Sequence, residues 1–153
     1  GEFIARAKKN LDVRGTPEQI YSAKKLWSGS FISISDFNDY YKIMSPLYVY
    51  DKKKLEDIPT SNKLIPYNYE LTNYAFKTFL PQFNFIDKLN EVTMPTLIFQ
   101  GVDDWIVDIK SARELKSGII NSKLVLLEKC GHFPWKEQKN KFLFEMEKFL
   151  KNI

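Results

Sequence analysis

Two short apolar runs set the strongest limit on what this chain can become. Thr96-Leu97-Ile98-Phe99 follows Pro95 and closes at Gly101, and Lys123-Leu124-Val125-Leu126-Leu127 closes at Cys130-Gly131. Continuous apolar runs of this length, bounded by proline or glycine, predict strands buried on both faces, as in a parallel sheet. Between them, Asp108 to Lys116 predicts a short helix with Ile109, Ala112 and Leu115 on one side. After the second run, Glu137 to Leu150 reads as a longer helix whose apolar side carries Phe142, Leu143, Met146, Phe149 and Leu150. Strand, helix, strand, helix is the order of an open α/β fold with a mainly parallel sheet.

The first half predicts helices instead. Thr16-Pro17-Glu18-Gln19 supplies an N-cap threonine, a proline at the first helical position and a glutamine placed to close a capping box. Ile20, Ala23 and Trp27 then recur at helical spacing until Ser28-Gly29-Ser30. Ser35-Asp36 predicts a second helix start, with Phe37, Tyr40, Tyr41 and Met44 on it and Pro46 at its end. Tyr67 to Phe79 predicts a third, ending near Pro81, and Asp57 to Pro66 reads as a loop. No internal repeat is present.

With 153 residues, 44% hydrophobic and 15% aromatic, the chain can bury one domain's core, which excludes disorder as its main state. No run reaches the roughly 18 apolar residues of a membrane-spanning helix. One cysteine, Cys130, and one histidine, His132, exclude a disulfide framework, a four-cysteine zinc site and a His-rich metal site. No metal and no cofactor are expected. The net charge of +4 is spread over 23 basic and 19 acidic residues. The basic runs, Lys52 to Lys54 and the group Lys136, Lys139, Lys141, are short and lie near acids, so they read as solvated surface. Neither a nucleic acid nor a membrane is an expected partner. Gly1-Glu2-Phe3 lacks the charged start and apolar stretch of a secretion leader and reads as a cloned or cut end. With the lone cysteine, this fits a cytoplasmic protein.

Chemistry concentrates where the two predicted strands end. Gly101-Val102-Asp103-Asp104 follows the first, and Gly131-His132-Phe133-Pro134-Trp135 follows the second. In open α/β sheets the C-terminal strand ends line the reactive crevice. Neighbouring parallel strands would bring Asp104 and His132 together. A carboxylate on one imidazole nitrogen fixes the ring and stabilises the imidazolium formed when the other nitrogen takes a proton. Taken alone, the same residues also allow quieter roles: Asp104 or Asp108 could cap the following helix, and a histidine at a strand end could be structural. Cys130, at a strand end, reads as a packed residue and not as a nucleophile.

The segment from Met94-Pro95 through Gly101-Val102-Asp103-Asp104 to Trp105-Ile106-Val107 resembles the seventh strand and acid loop of the α/β-hydrolase superfamily. Lys123 to Trp135, ending Cys130-Gly131-His132-Phe133-Pro134-Trp135, resembles its eighth strand and histidine loop, and the terminal helix follows in the family's order. The resemblance maps the catalytic acid onto Asp104, three residues after the loop glycine, and the catalytic histidine onto His132. Gly15 to Trp27 and Tyr40 to Tyr48 are similar to the helical cap of proline iminopeptidase (prolyl aminopeptidase)-like members. That implies a cap over residues 1–88 and the C-terminal part of the hydrolase core over 89–153. It also makes Glu70, in Asn68-Tyr69-Glu70-Leu71, a candidate for binding a substrate's free amino group.

The family's nucleophile sits in Gly-x-Ser-x-Gly, and no serine here has that setting. Ser30 comes nearest, after Gly29, but Ser28 and Ile32 occupy the outer positions. A second histidine for an oxyanion segment is also missing, as are counterparts of the first six strands. The resemblance therefore implies the C-terminal half of a serine hydrolase, cap plus last two strands. Its substrate would be a small peptide with N-terminal proline or a similar residue, or a related ester or amide, and the chain alone would be inactive. It further implies that the strand at Leu97 to Phe99 keeps a bare edge, to be met by the missing N-terminal half or by self-association. The alternative from a different class is a non-catalytic binding module presenting Trp27, Phe31, Tyr40, Tyr41, Tyr48 and Tyr50. A basic nucleic-acid binder lacks any motif.

Overall fold

A computed structural model describes residues 2–57 and 68–153. The two apolar runs form parallel strands, β1 over Thr96–Gly101 and β2 over Ser122–Leu127, with Thr96 opposite Ser122 and Gly101 opposite Leu127. The connection is the predicted helix, here Ile109–Gly118 and labelled α5 below. Asp108 is its N-cap, accepting the Ser111 N–H at 2.9 Å. Ala112 is buried beneath it, but Leu115 is 40% exposed, so the packed stripe is narrower than its spacing predicts.

Among the described residues, four α-helices precede the sheet: α1 (Glu2–Arg14), α2 (Pro17–Ser28), α3 (Ile34–Met44) and α4 (Tyr69–Tyr74). The capping box of α2 is complete, with Gln19 N–H on Thr16 Oγ1 at 3.3 Å and Thr16 N–H on Gln19 Oε1 at 3.0 Å. Gly29 ends that helix in the left-handed region, at φ 57°. A Cβ there would also lie 2.3 Å from the Asn73 carbonyl oxygen, so glycine is required twice over. The start of α3 differs from the sequence reading. Ser33, in extended backbone, is the cap and accepts the Asp36 N–H at 3.1 Å, which leaves Ser35 inside the first turn. The Asp36 carboxylate pairs with Lys25 of α2, and that ammonium holds the acid below its usual range.

The third predicted helix begins at Tyr69 and relaxes into a π turn over Ala75–Phe79. Tyr67 and all but the first residue of the expected loop, Asp57 to Pro66, lie outside the described residues; Asp57 ends a 3₁₀ stretch, Lys52–Asp57. Helix α1 has no counterpart in the sequence reading. It forms by burying Ala7 and Leu11, four residues apart, and by charge on its other side. Arg6 of α1 donates to Glu114 at 2.9 Å and to Ser111 at 2.8 Å, both on α5, with Asp108 at 3.4 Å.

The main core draws on α1, α2, α3 and the loops after α2, α3 and β1. Leu11, Ala23, Leu26, Phe31, Phe37, Tyr40, Met44, Tyr48 and Trp105 form one buried cluster. Trp105, from the loop after β1, is fully buried, edge-on to Trp27 (6.2 Å between centroids) and to Tyr48 (5.5 Å). A smaller cluster of Val125, Leu127 and Cys130 lies at the sheet, with Leu97 and Phe99 against it.

Two expectations about the sheet region need correction. Leu97 to Phe99 are half-buried, not enclosed on both faces. Helices cover β1 in part, with Phe142 packed on Phe99 at 4.4 Å, but among the described residues the sheet has no third strand. The last helix is also broken. Pro134–Glu137 makes one turn, α6, and Lys139–Leu150 makes α7, separated by Gln138 at φ −124° and ψ 41°. Gln138 turns away because its amide donates to the carbonyls of Glu128 (3.0 Å) and Lys129 (3.2 Å). On α7, Phe142, Met146 and Phe149 are half-buried, while Leu143 and Leu150 of the expected apolar face stay exposed. No helix among the described residues is long and apolar enough to cross a membrane.

Candidate active site

The parallel register continues past the strands and brings their loops into contact. Val102 N–H donates to the Leu127 carbonyl at 3.0 Å, and Asp103 N–H to the Cys130 carbonyl at 2.8 Å. Gly101 and Gly131 permit this approach. A Cβ on Gly101 would lie 2.0 Å from the Gly131 carbonyl oxygen, and one on Gly131 would lie 2.5 Å from that of Tyr48.

Asp104 and His132 meet above those glycines. Asp104 Oδ2 is 2.7 Å from His132 Nδ1. The other oxygen, Oδ1, accepts the N–H groups of Ile106 at 2.9 Å and Val107 at 3.2 Å, a turn closed on its own carboxylate. Asp104 is buried, at 7% exposure, whereas the imidazole is 36% exposed. A buried carboxylate held by two amides has one oxygen left, and it is aimed at the ring. An accepting oxygen at that distance selects, for a neutral ring, the tautomer with its proton on Nδ1, which leaves Nε2 able to accept one. Helix capping falls to Asp108, which separates the two roles that the sequence left open.

The ring is held from the helical side too. His132 N–H donates to the Tyr48 carbonyl at 2.8 Å, and the Tyr48 ring stands 5.5 Å from the imidazole. Burial first, then Tyr40 and Tyr41, push the Tyr48 phenol well above its ordinary range, so it brings no charge to the pair. Glu137 accepts from the backbone N–H groups of Gly131 and Tyr50. Sequence position marks neither Tyr48 nor Glu137 for the site. The only available hint is an acid at the start of the last helix, and an acid there is common at any helix start. Glu70 lies on the exposed first turn of α4, behind its cap Asn68, and no hydrogen bond or ion pair ties it to Asp104 or His132 among the described residues. No group of three His, Cys, Asp or Glu residues suited to a metal occurs among the described residues.

Cys130 is fully buried, and burial, followed by Glu137, Asp104 and Asp103, pushes its thiol up to about 12 from 9.0. An acid raised on folding contributes stability below its unfolded value, and that contribution is lost as pH climbs from about 9 towards 12. At pH 8 the native thiol is expected to react with a disulfide reagent at least roughly 100-fold more slowly than in denaturant. Equal rates in the two states would show that the thiol is accessible.

The profile of the family described as alpha/beta hydrolase fold matches residues 23–138. A 2-hydroxy-6-oxononadienedioate/2-hydroxy-6-oxononatrienedioate hydrolase of Cupriavidus pinatubonensis is 29% identical over 117 residues, covering 72% of this chain and 40% of that protein. The proline iminopeptidase of Lactobacillus helveticus is 31% identical over 71 residues, 46% of this chain and 24% of its own length. Among solved structures, an alpha/beta fold family hydrolase from Bacillus anthracis superimposes with a TM-score of 0.65 at 22% identity, over 88% of this chain and 47% of that one. An esterase from Exiguobacterium antarcticum gives 0.64 at 16% identity, over 87% and 48%. The chain thus spans less than half the length of each of these relatives.

Proposed function

The chain belongs to the alpha/beta hydrolase fold family, and from that premise we propose that it is the C-terminal part of a serine hydrolase, a proline iminopeptidase-like aminopeptidase or a related esterase or amidase. Residues 1–88 would serve as the cap and 89–153 as core. The observation that carries the reading is the 2.7 Å contact between Asp104 and His132, with the second carboxylate oxygen already satisfied by two amides. In the complete enzyme, His132 Nε2 would take the proton from a serine hydroxyl as its oxygen attacks the substrate carbonyl. The same proton then passes to the leaving amine or alcohol, and water, deprotonated by Nε2, releases the acyl group. Asp104 would hold the ring and stabilise the imidazolium in both steps.

The serine and the oxyanion donors would come from an N-terminal half. That half would also pair with the edge of β1 that no described strand covers; without it, the same edge would favour self-association. Glu70, exposed on α4, would be the acidic group for a peptide's free amine. Expressing the chain alone and joined to the polypeptide encoded upstream of Gly1 tests the proposal. The assay panel should hold a chromogenic ester, an N-terminal proline anilide and, because one relative is named for it, a 2-hydroxy-6-oxo-dienedioate. Activity is expected only in the joined protein, and a serine reagent should abolish it. Turnover by the 153-residue chain alone, at a rate comparable with full-length relatives, would overturn the proposal.

A further inference from the structure

The backbone that carries the histidine is held by a carboxylate outside the Asp104–His132 pair. Glu137, the last residue of α6, accepts the Gly131 N–H on Oε1 at 2.8 Å and the Tyr50 N–H on Oε2 at 2.6 Å. Between those points, His132 N–H donates to the Tyr48 carbonyl. The segment Tyr48 to Tyr50 therefore runs against the histidine loop, with one carboxylate bridging both. The fit has no slack, since the Tyr48 carbonyl already occupies the space a side chain at Gly131 would need. The chain interrupts its terminal helix at this point, and Gln138, next to Glu137, anchors the break. The carboxylate offers one acceptor oxygen to each of the two amides. A glutamine would turn its NH₂ towards one of the two N–H groups, and hydrogen bonds to a charged acceptor are the stronger kind.

We infer that Glu137 is a positioning residue: by clamping Tyr48–Tyr50 onto the Gly131–His132 loop it fixes the imidazole against Asp104. The placement of the proton acceptor then depends on a segment nearly ninety positions upstream, in the helical half. This rests on the reading of His132 as the general base.

Because His132 is the only histidine, its ring nitrogens give unambiguous ¹⁵N signals in the chain as it stands. Glu137→Gln preserves side-chain volume, Glu137→Asp keeps the charge on a shorter arm, and thermal melting shows which variants fold. In Glu137→Gln, the Gly131 and Tyr50 amides are expected to exchange about 10-fold faster than in wild type. The ring signals should move from a single Nδ1–H tautomer to a mixture, with partial return in Glu137→Asp. In the complete hydrolase the glutamine variant should lose about 10- to 100-fold in kcat with KM little changed. Ring signals and amide protection identical to wild type in Glu137→Gln would overturn the inference by itself. Hydrolysis unaffected by Asp104→Asn would instead remove the general-base reading, and the inference with it.

Discussion

Asp104→Asn is expected to lower kcat of the complete hydrolase by about 10⁴-fold, the scale on which this exchange acts in Ser-His-Asp enzymes. The shape of the site survives the change. The substituted amide can still accept the Ile106 and Val107 N–H groups through its carbonyl oxygen, as Oδ1 does now. Its NH₂ then faces His132 Nδ1 where an acceptor stood at 2.7 Å. A donor there selects the ring tautomer with the proton on Nε2, which can no longer take one from a hydroxyl. Substrate binding is largely retained, so KM should change little. The tautomer can be read separately, by ¹⁵N spectra of the single histidine in this chain. A variant within about 10-fold of wild type, with unchanged ring signals, would mean that the carboxylate does not govern the imidazole.

The largest expected effect on stability belongs to Trp105→Ala, a loss of about 3–5 kcal/mol. The indole has no exposed surface and stands edge-on to Trp27 and Tyr48 within the main core. Its backbone carbonyl also accepts from Asn10 of α1 at 3.1 Å. Truncation leaves a void bounded by aromatic rings that cannot collapse without moving the Asp104 turn. Since domains of this size are stable by roughly 5–15 kcal/mol, such a loss would leave the fold marginal. Urea denaturation followed by fluorescence or circular dichroism measures it. A loss below about 1 kcal/mol would imply that the cavity refills from neighbouring side chains.

Local chemistry makes much of this legible in the sequence. The capping box at Thr16 to Gln19, the glycine after Ser28 and the apolar runs at Thr96 and Lys123 are short-range devices, and each forms the element it predicts. Asp104 and His132 can be found because parallel pairing makes the two strand ends neighbours. Other features depend on distant partners. Helix α1 carries a helical spacing in Ala7 and Leu11, but its docking depends on Arg6 finding α5 more than a hundred residues later. Ser33 and Ser35 are equivalent as cap candidates until the backbone selects the extended one. The strands at Leu97 and Val125 look fully enclosed in the sequence because their composition suits a wider sheet than the two-stranded one described here. Glu137 reads as a helix-start acid, since nothing within its own turn indicates the amide of Tyr50.

The burial of Trp105 also bears on how the chain loses its structure. Its cluster gathers side chains from Leu11 through Tyr48 and then jumps to the acid loop. A helical layer that shares its interior with the Asp104 turn cannot detach while that turn persists. Heat should therefore carry residues 2–57 and the sheet through one cooperative transition, and any opening beside His132 must be small enough to leave the indole where it is.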